Sequence, residues 1–102
     1  MTATAELRQV DPDHFAVVGE LGFETVRGLL TSSGSRFAGA GQQFEVDLSG
    51  VTQSDSAGLA LLIEWLKLAT QSGRTVRFTR VPAQLRSLAQ ISEIDSFLPL
   101  SA

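Results

Sequence analysis

Val46-Asp47-Leu48-Ser49-Gly50-Val51-Thr52-Gln53-Ser54-Asp55-Ser56-Ala57-Gly58-Leu59 is the stretch on which the fold turns. Its start belongs to Phe44 to Leu48, where apolar residues alternate with Glu45 and Asp47, the pattern of a strand with one polar face or an edge contact. Asp47 in that pattern predicts a nearby loop or cleft. Its end leads into Leu59 to Thr70, the most strongly patterned segment of the chain, preceded by the cap-competent cluster Ser54-Asp55-Ser56 and closed by Ser72-Gly73. A helix is expected there. Between the two, Gly50 to Leu59 reads as a loop that delivers small hydroxyls to a helix N-terminus.

Working outward, Leu7 to Val10 and Phe15 to Val18 read as short strands around the turn signal Asp11-Pro12-Asp13, so the chain opens with a hairpin. Thr25 to Ser33 carries Val26, Leu29 and Leu30 at helical spacing, and the Ser/Gly/Ala-rich stretch from Ser32 to Gly41 ends that helix. Downstream, Thr75 to Val81 returns to strand composition. Pro82 sits where a first helical residue belongs, Leu85, Leu88 and Ala89 follow at helical spacing, and Phe97-Leu98-Pro99-Leu100 is expected to pack back on the core. Strand, strand, helix, strand, helix, strand, helix predicts an α/β layer fold in one domain over 1–102. Right-handed crossovers then cover the sheet with helices.

Composition bounds the chemistry. The chain has 102 residues, 43% of them hydrophobic, a net charge of -3, one histidine and no cysteine. A chain of this length buries roughly two thirds of its unfolded surface, so its apolar residues are needed for one core and little is left for an elaborate cleft. Disulfides, thiol nucleophiles and zinc ribbons are excluded, and the single His14 cannot supply a multi-histidine metal site. No metal or other cofactor is expected. Eight cationic residues against eleven carboxylates give no broad basic surface for nucleic acid. No apolar run approaches the roughly 20 residues that span a bilayer, and MTATAELRQV lacks the basic and apolar parts of a signal peptide, so a cytoplasmic protein without direct membrane insertion is expected.

Two features are candidates for function. Backbone N–H groups at a helix N-terminus, with roughly half a positive charge from the macrodipole, favour a hydroxyl, a carboxylate or a phosphate, and Ser54, Asp55 and Ser56 sit there. Either the cluster is an N-cap and nothing more, as at most helices, or one of the three supplies the cap while its neighbour serves a partner. Gly58 in the first turn is costly in a helix and implies close approach by another backbone, which marks a contact surface. The helix that follows has a core stripe of Leu59, Leu62, Ile63, Leu66 and Ala69, and a second apolar stripe of Leu61, Trp65 and Leu68. That second stripe is covered either by a neighbouring helix of the same domain or by a docked partner, for which a Trp flanked by Leu is a suitable anchor. His14, directly after a turn, reads as a solvated or capped side chain. Arg74, Arg77, Arg80 and Arg86 read as a solvated edge, with an acidic partner or an anionic membrane face as the other reading. No Ser/His/Asp set, phosphate loop or flanked carboxylate pair is present, and no catalytic residue is expected.

With these residues in view, Val46-Asp47-Leu48-Ser49-Gly50-Val51 followed by Ser54-Asp55-Ser56-Ala57-Gly58-Leu59 resembles a STAS domain, the fold of bacterial anti-sigma-factor antagonists. The resemblance covers nearly the whole chain, including Val81-Pro82 before Leu85-Arg86-Ser87-Leu88. It implies a mixed central sheet of about four to five strands with helices packed on it. A Gly usual near the start of the C-terminal stretch is absent, and Ser92-Glu93-Ile94 stands there. Within the family, Gly58 to Leu66, Gly19-Glu20-Leu21 and Phe23-Glu24-Thr25-Val26 are similar to the MlaB-like branch, small subunits of a phospholipid-transport ABC complex of Gram-negative bacteria. That similarity implies a subunit that binds the transporter's ATPase beside a permease and a periplasmic lipid-binding subunit, peripheral at the inner membrane. The implied partner-binding residues are Ser54, Asp55, Ser56, Ala57, Gly58, Leu61 and Trp65. Ser56 matches the phosphorylated serine of the antagonists, so it is also the possible phosphoacceptor; Ser56-Ala57 stands where many antagonists carry two successive serines.

Overall fold

The computed structural model describes residues 3–101. Strands β1 (Ala5–Asp11), β2 (His14–Leu21), β3 (Gln43–Ser54) and β4 (Thr75–Thr79) form one sheet in the order β1-β2-β3-β4. β1 and β2 are the expected hairpin, antiparallel, with Leu7 opposite Val17; β2, β3 and β4 run parallel. Parallel neighbours need crossovers, and helices α1 (Val26–Ala38) and α2 (Ser56–Gln71) supply them. The two helices touch each other, and α3 (Ala83–Ile91) packs on α2, so the helices share one face of a mixed α/β sheet. The other face carries no helix among the described residues and presents His14, Glu45, Asp47 and Arg77 beside Val10, Ala16 and Val18. A Phe78–Leu100 bridge adds the chain end beside β4.

The core follows from alternation. Phe15 and Val17, Phe44, Val46 and Leu48, and Val76 and Phe78 point from successive strands into the helix layer and are buried. Phe37 of α1 packs edge-on against Phe15 (centroids 5.1 Å, 78°) and against Trp65 of α2 (5.5 Å, 77°). On the open face Glu45 pairs in register with His14 on one side and Arg77 on the other. The free edge of β1 is blunted by α1, whose Arg36 guanidinium donates to the Leu7 carbonyl and occupies a group that another strand could use.

Three elements depart from the sequence reading. α1 runs to Ala38 instead of stopping near Ser33. Its Leu29, Ser33 and Phe37, four apart, are buried, and the hydroxyls of Thr31, Ser32 and Ser33 donate to carbonyls of their own helix, so residues that favour loops are accommodated by packing. β3 continues to Ser54 through Gly50 to Gln53, where a loop was expected, because β2 pairs with it throughout, with register shifts after Ala16 and Gly19. Asp47 is therefore mid-strand; its Oδ1 accepts from the Ser49 N–H at 2.8 Å. Pro82 is the N-cap residue of α3 rather than its first helical one. At the other end of α3, Glu93 takes φ +61° in place of the usual Gly, and Ile94 N–H closes on Ala89 O at 2.9 Å, so the helix stops as a Gly would stop it.

His14 carries a testable consequence. Its Nδ1 lies 2.7 Å from Asp11 Oδ1 and its Nε2 3.3 Å from Glu45 Oε2. The Asp11 hydrogen bond raises the imidazole above its ordinary value of 6.5 and holds the Asp11 carboxyl below 3.8. A group raised in the folded state contributes stability that is full below its unfolded value and lost as pH climbs through the folded one. Wild type is therefore expected to lose more stability than His14→Gln between pH 6 and 8, in proportion reduced by added salt. An NMR titration in which Asp11→Asn leaves the His14 midpoint unmoved would refute the assignment.

Candidate functional site

The carboxyl ends of β2 and β3 meet the N-terminus of α2, the position at which open α/β sheets place their binding crevices. Asp55 is the N-cap. Its backbone is extended (φ -135°, ψ -166°), its Oδ1 accepts from the N–H groups of Ala57 (2.8 Å) and Gly58 (3.4 Å), and its carbonyl accepts from Leu59 N–H at 3.2 Å. Its own N–H donates to Leu21 O at 3.1 Å and ties the helix start to the end of β2. With Asp55 doing the capping, Ser56 is the first residue of α2 and lies exposed, its hydroxyl not used by the cap.

The structure divides the sequence-predicted residues. Asp55 and Ser56 are exposed and Ala57 is half-buried. Ser54 is 5% exposed; its N–H donates to Gln84 Oε1 at 3.1 Å, and its hydroxyl has no partner among the described residues. Gly58 is buried, and a Cβ there would lie 3.0 Å from both the Cβ and the carbonyl oxygen of Leu21. The backbone that approaches Gly58 is thus the chain's own, not a partner's.

Leu61 and Trp65 are corrections as well. Both are 0% exposed, so neither can be a docking residue on the surface. The Trp65 indole N–H donates to Ser33 Oγ at 2.8 Å and Phe37 packs edge-on against its ring, so α1 supplies the cover of Trp65, while Leu68 is half-buried. Apolar periodicity sees that a helix has two buried faces; it does not say whether the second cover comes from inside the chain.

The basic residues also separate. Arg74 donates to the carbonyls of Ala38 (2.7 Å) and Ala40 (3.1 Å), Arg86 donates to Ser101 O (2.8 Å), and Arg80 stands 3.7 Å from Asp47. They tie loops and the chain end rather than form one cationic face.

Phe23, noted in the sequence only within the Phe23-Glu24-Thr25-Val26 resemblance, was given no site role there. It sits in the turn between β2 and α1, 90% exposed, beside an open groove of 590 Å³ that it lines with Glu20, Glu24, Thr52 and Asp55. A large apolar residue adjoining a strand-to-helix turn was the available signal.

Chemically, the site offers a hydroxyl at the positive end of a 16-residue helix, next to a carboxylate. His14, at the start of β2, is about 23 Å along the strand from the Leu21 end, so no imidazole reaches Ser56. Among the described residues no His/Asp/Glu group could hold a metal ion, and no helix is long and apolar enough to cross a membrane.

Comparison with solved structures agrees with the fold. The anti-sigma factor antagonist SpoIIAA in its unphosphorylated form superposes with a TM-score of 0.72 at 16% identity, over 97% of this chain and 89% of that one. An anti-sigma factor antagonist from Mycobacterium paratuberculosis gives 0.72 at 20% identity, over 96% and 84%. The murine anion transporter Slc26a9 gives 0.65 at 13% identity over 96% of this chain, which corresponds to 20% of the transporter. No curated protein sequence matches significantly. The family model described as "Mlab, STAS domain" matches residues 5–100. With that match running from β1 to the Leu100 bridge, through the capped junction at Asp55-Ser56, the chain belongs to the Mlab, STAS domain family.

Proposed function

We propose that this protein is a non-catalytic subunit that docks, through Ser56 and the surface beside it, on the cytoplasmic ATPase of an ABC transporter moving phospholipids between inner and outer membranes. It acts in a complex with a permease and a periplasmic lipid-binding subunit, peripheral at the inner membrane. STAS domains are mostly non-catalytic regulatory or interaction domains. The observation that carries the reading is the Ser56 hydroxyl, which Asp55's capping leaves exposed at the helix start in a chain of the Mlab family. Replacement of Ser56 by Leu removes the hydroxyl and adds bulk without touching the cap. Capture of the transporter ATPase is expected to weaken at least about tenfold, ~1.4 kcal/mol, with an unchanged circular dichroism melt. Unchanged capture removes Ser56 from the interface.

The same exposed hydroxyl supports a second reading, an anti-sigma-factor antagonist switched by phosphorylation at Ser56. The helix dipole tolerates added dianionic charge there, while an acidic partner surface is repelled by it. Intact-mass measurement on protein from growing and starved cells separates the two. A phosphorylated species lost in Ser56→Ala favours the switch, and its absence under all conditions favours the transporter subunit.

A further inference from the structure

Four of the six phenylalanines lie in the core, and Phe23 is the most exposed large apolar residue described. It is not displayed on a loose loop. The Thr25 hydroxyl donates to Glu20 O at 2.7 Å and accepts from Gly22 N–H at 3.1 Å, and the N–H groups of Thr25 and Val26 both close on Gly22 O. The ring is held out by a fastened turn, so a partner that receives it pays little to order it.

The surroundings define that partner. Among the described residues the groove beside Phe23 is lined by the acidic Glu20, Glu24 and Asp55 and by no cationic side chain. An adjoining cleft shares Glu20, Gly22 and Asp55 with it and adds Gln84 and the buried Ser54 hydroxyl, which has no partner among the described residues. Asp55 Oδ1 is taken by the helix cap, and a Cβ on Gly22 would stand 3.2 Å from Oδ2, so the Phe23 turn and the Asp55 cap of α2 form one continuous surface. A second copy would set the same acidic rim against itself, and an anionic lipid headgroup would meet the carboxylates directly. A protein surface with donors fits.

We propose that Phe23 is the apolar anchor of the partner interface, received in an apolar pocket whose rim carries lysine or arginine side chains. This rests on the docking reading above and supplies the chemistry of the docked surface. The turn presents the ring, the carboxylates select the sign of the rim, and Ser56 follows the groove-lining Asp55 in the chain.

Two measurements test it. Phe23→Ala is expected to weaken binding to the ATPase about 30-fold, ~2 kcal/mol, with Phe23→Leu keeping most of the affinity and Glu24→Lys weakening it most at low salt. Affinity of Phe23→Ala within twofold of wild type overturns the anchor. In the second, benzoylphenylalanine is placed at position 23 of the full chain in its own cells and the cross-linked peptide is sequenced. A cross-link to an apolar, Lys/Arg-flanked surface of the ATPase supports the anchor and the docking reading together. A cross-link to one such surface on a different, identified protein supports the anchor and overturns the ATPase as partner. No cross-link, a cross-link to a second copy, or cross-links to lipid or to acidic surfaces overturn the anchor.

Discussion

Trp65→Ala is expected to destabilise the domain by about 3–5 kcal/mol, the range for removing a fully buried large aromatic. The ring is 0% exposed, packs edge-on against Phe37, and donates its N–H to a serine that is itself buried. In a domain this size that loss lowers Tm by about 15–30 °C and consumes much of a typical total stability. Ser33→Ala separates the parts. It leaves the ring in place but strands a buried indole N–H, at about 1–3 kcal/mol. In the double variant the serine is no longer needed, so the losses add to less than their sum. Urea denaturation of the four proteins gives the result. A Trp65→Ala cost below about 1 kcal/mol, with partner binding lost, would mean that the ring faces a partner after all.

That contrast shows where the sequence is informative. The hairpin, the order of elements and α2 with its cap follow from local signals: Asp11-Pro12-Asp13, alternation in Phe44 to Leu48, and a helical stripe behind Ser54-Asp55-Ser56. Those signals act over a few residues and are written in the chain. What escaped depends on distant partners. Gly50 to Gln53 has loop composition and becomes strand because β2 lies beside it. The last turn of α1 persists because Phe37 enters the aromatic cluster. The second stripe of α2 was visible, but its cover was not, since nothing in Trp65 records that Ser33 and Phe37 arrive from α1. Within the site, the cap cluster was legible down to a choice among three residues; geometry assigns capping to Asp55 and so exposes Ser56. For Phe23 the chain offered only a large apolar residue beside a strand-to-helix turn; its exposure is a property of the folded surface.

Gly58 shows how burial changes the expected result of a substitution. Were it kept small for a partner, Gly58→Ala would stabilise the isolated domain by up to about 1 kcal/mol through helix propensity and damage only binding. In the structure the added Cβ stands 3.0 Å from Leu21 Cβ and 3.0 Å from Leu21 O, and 3.5 Å from Ser54 Cβ. Leu21 O cannot give way freely, because it accepts the Asp55 N–H at 3.1 Å, the bond that joins β2 to the helix start. Gly58→Ala is therefore expected to lose stability despite its better propensity. Gly58→Val, with two further methyl groups against the same wall, is expected to lose about 2–3 kcal/mol, in the range for overpacked cores. Because the strain acts on Asp55, it also displaces Ser56, and affinity for the partner falls with stability rather than independently of it. Denaturation midpoints for both variants decide the matter. A more stable Gly58→Ala would mean that the space beside Gly58 is not filled by Leu21 and is open to another molecule.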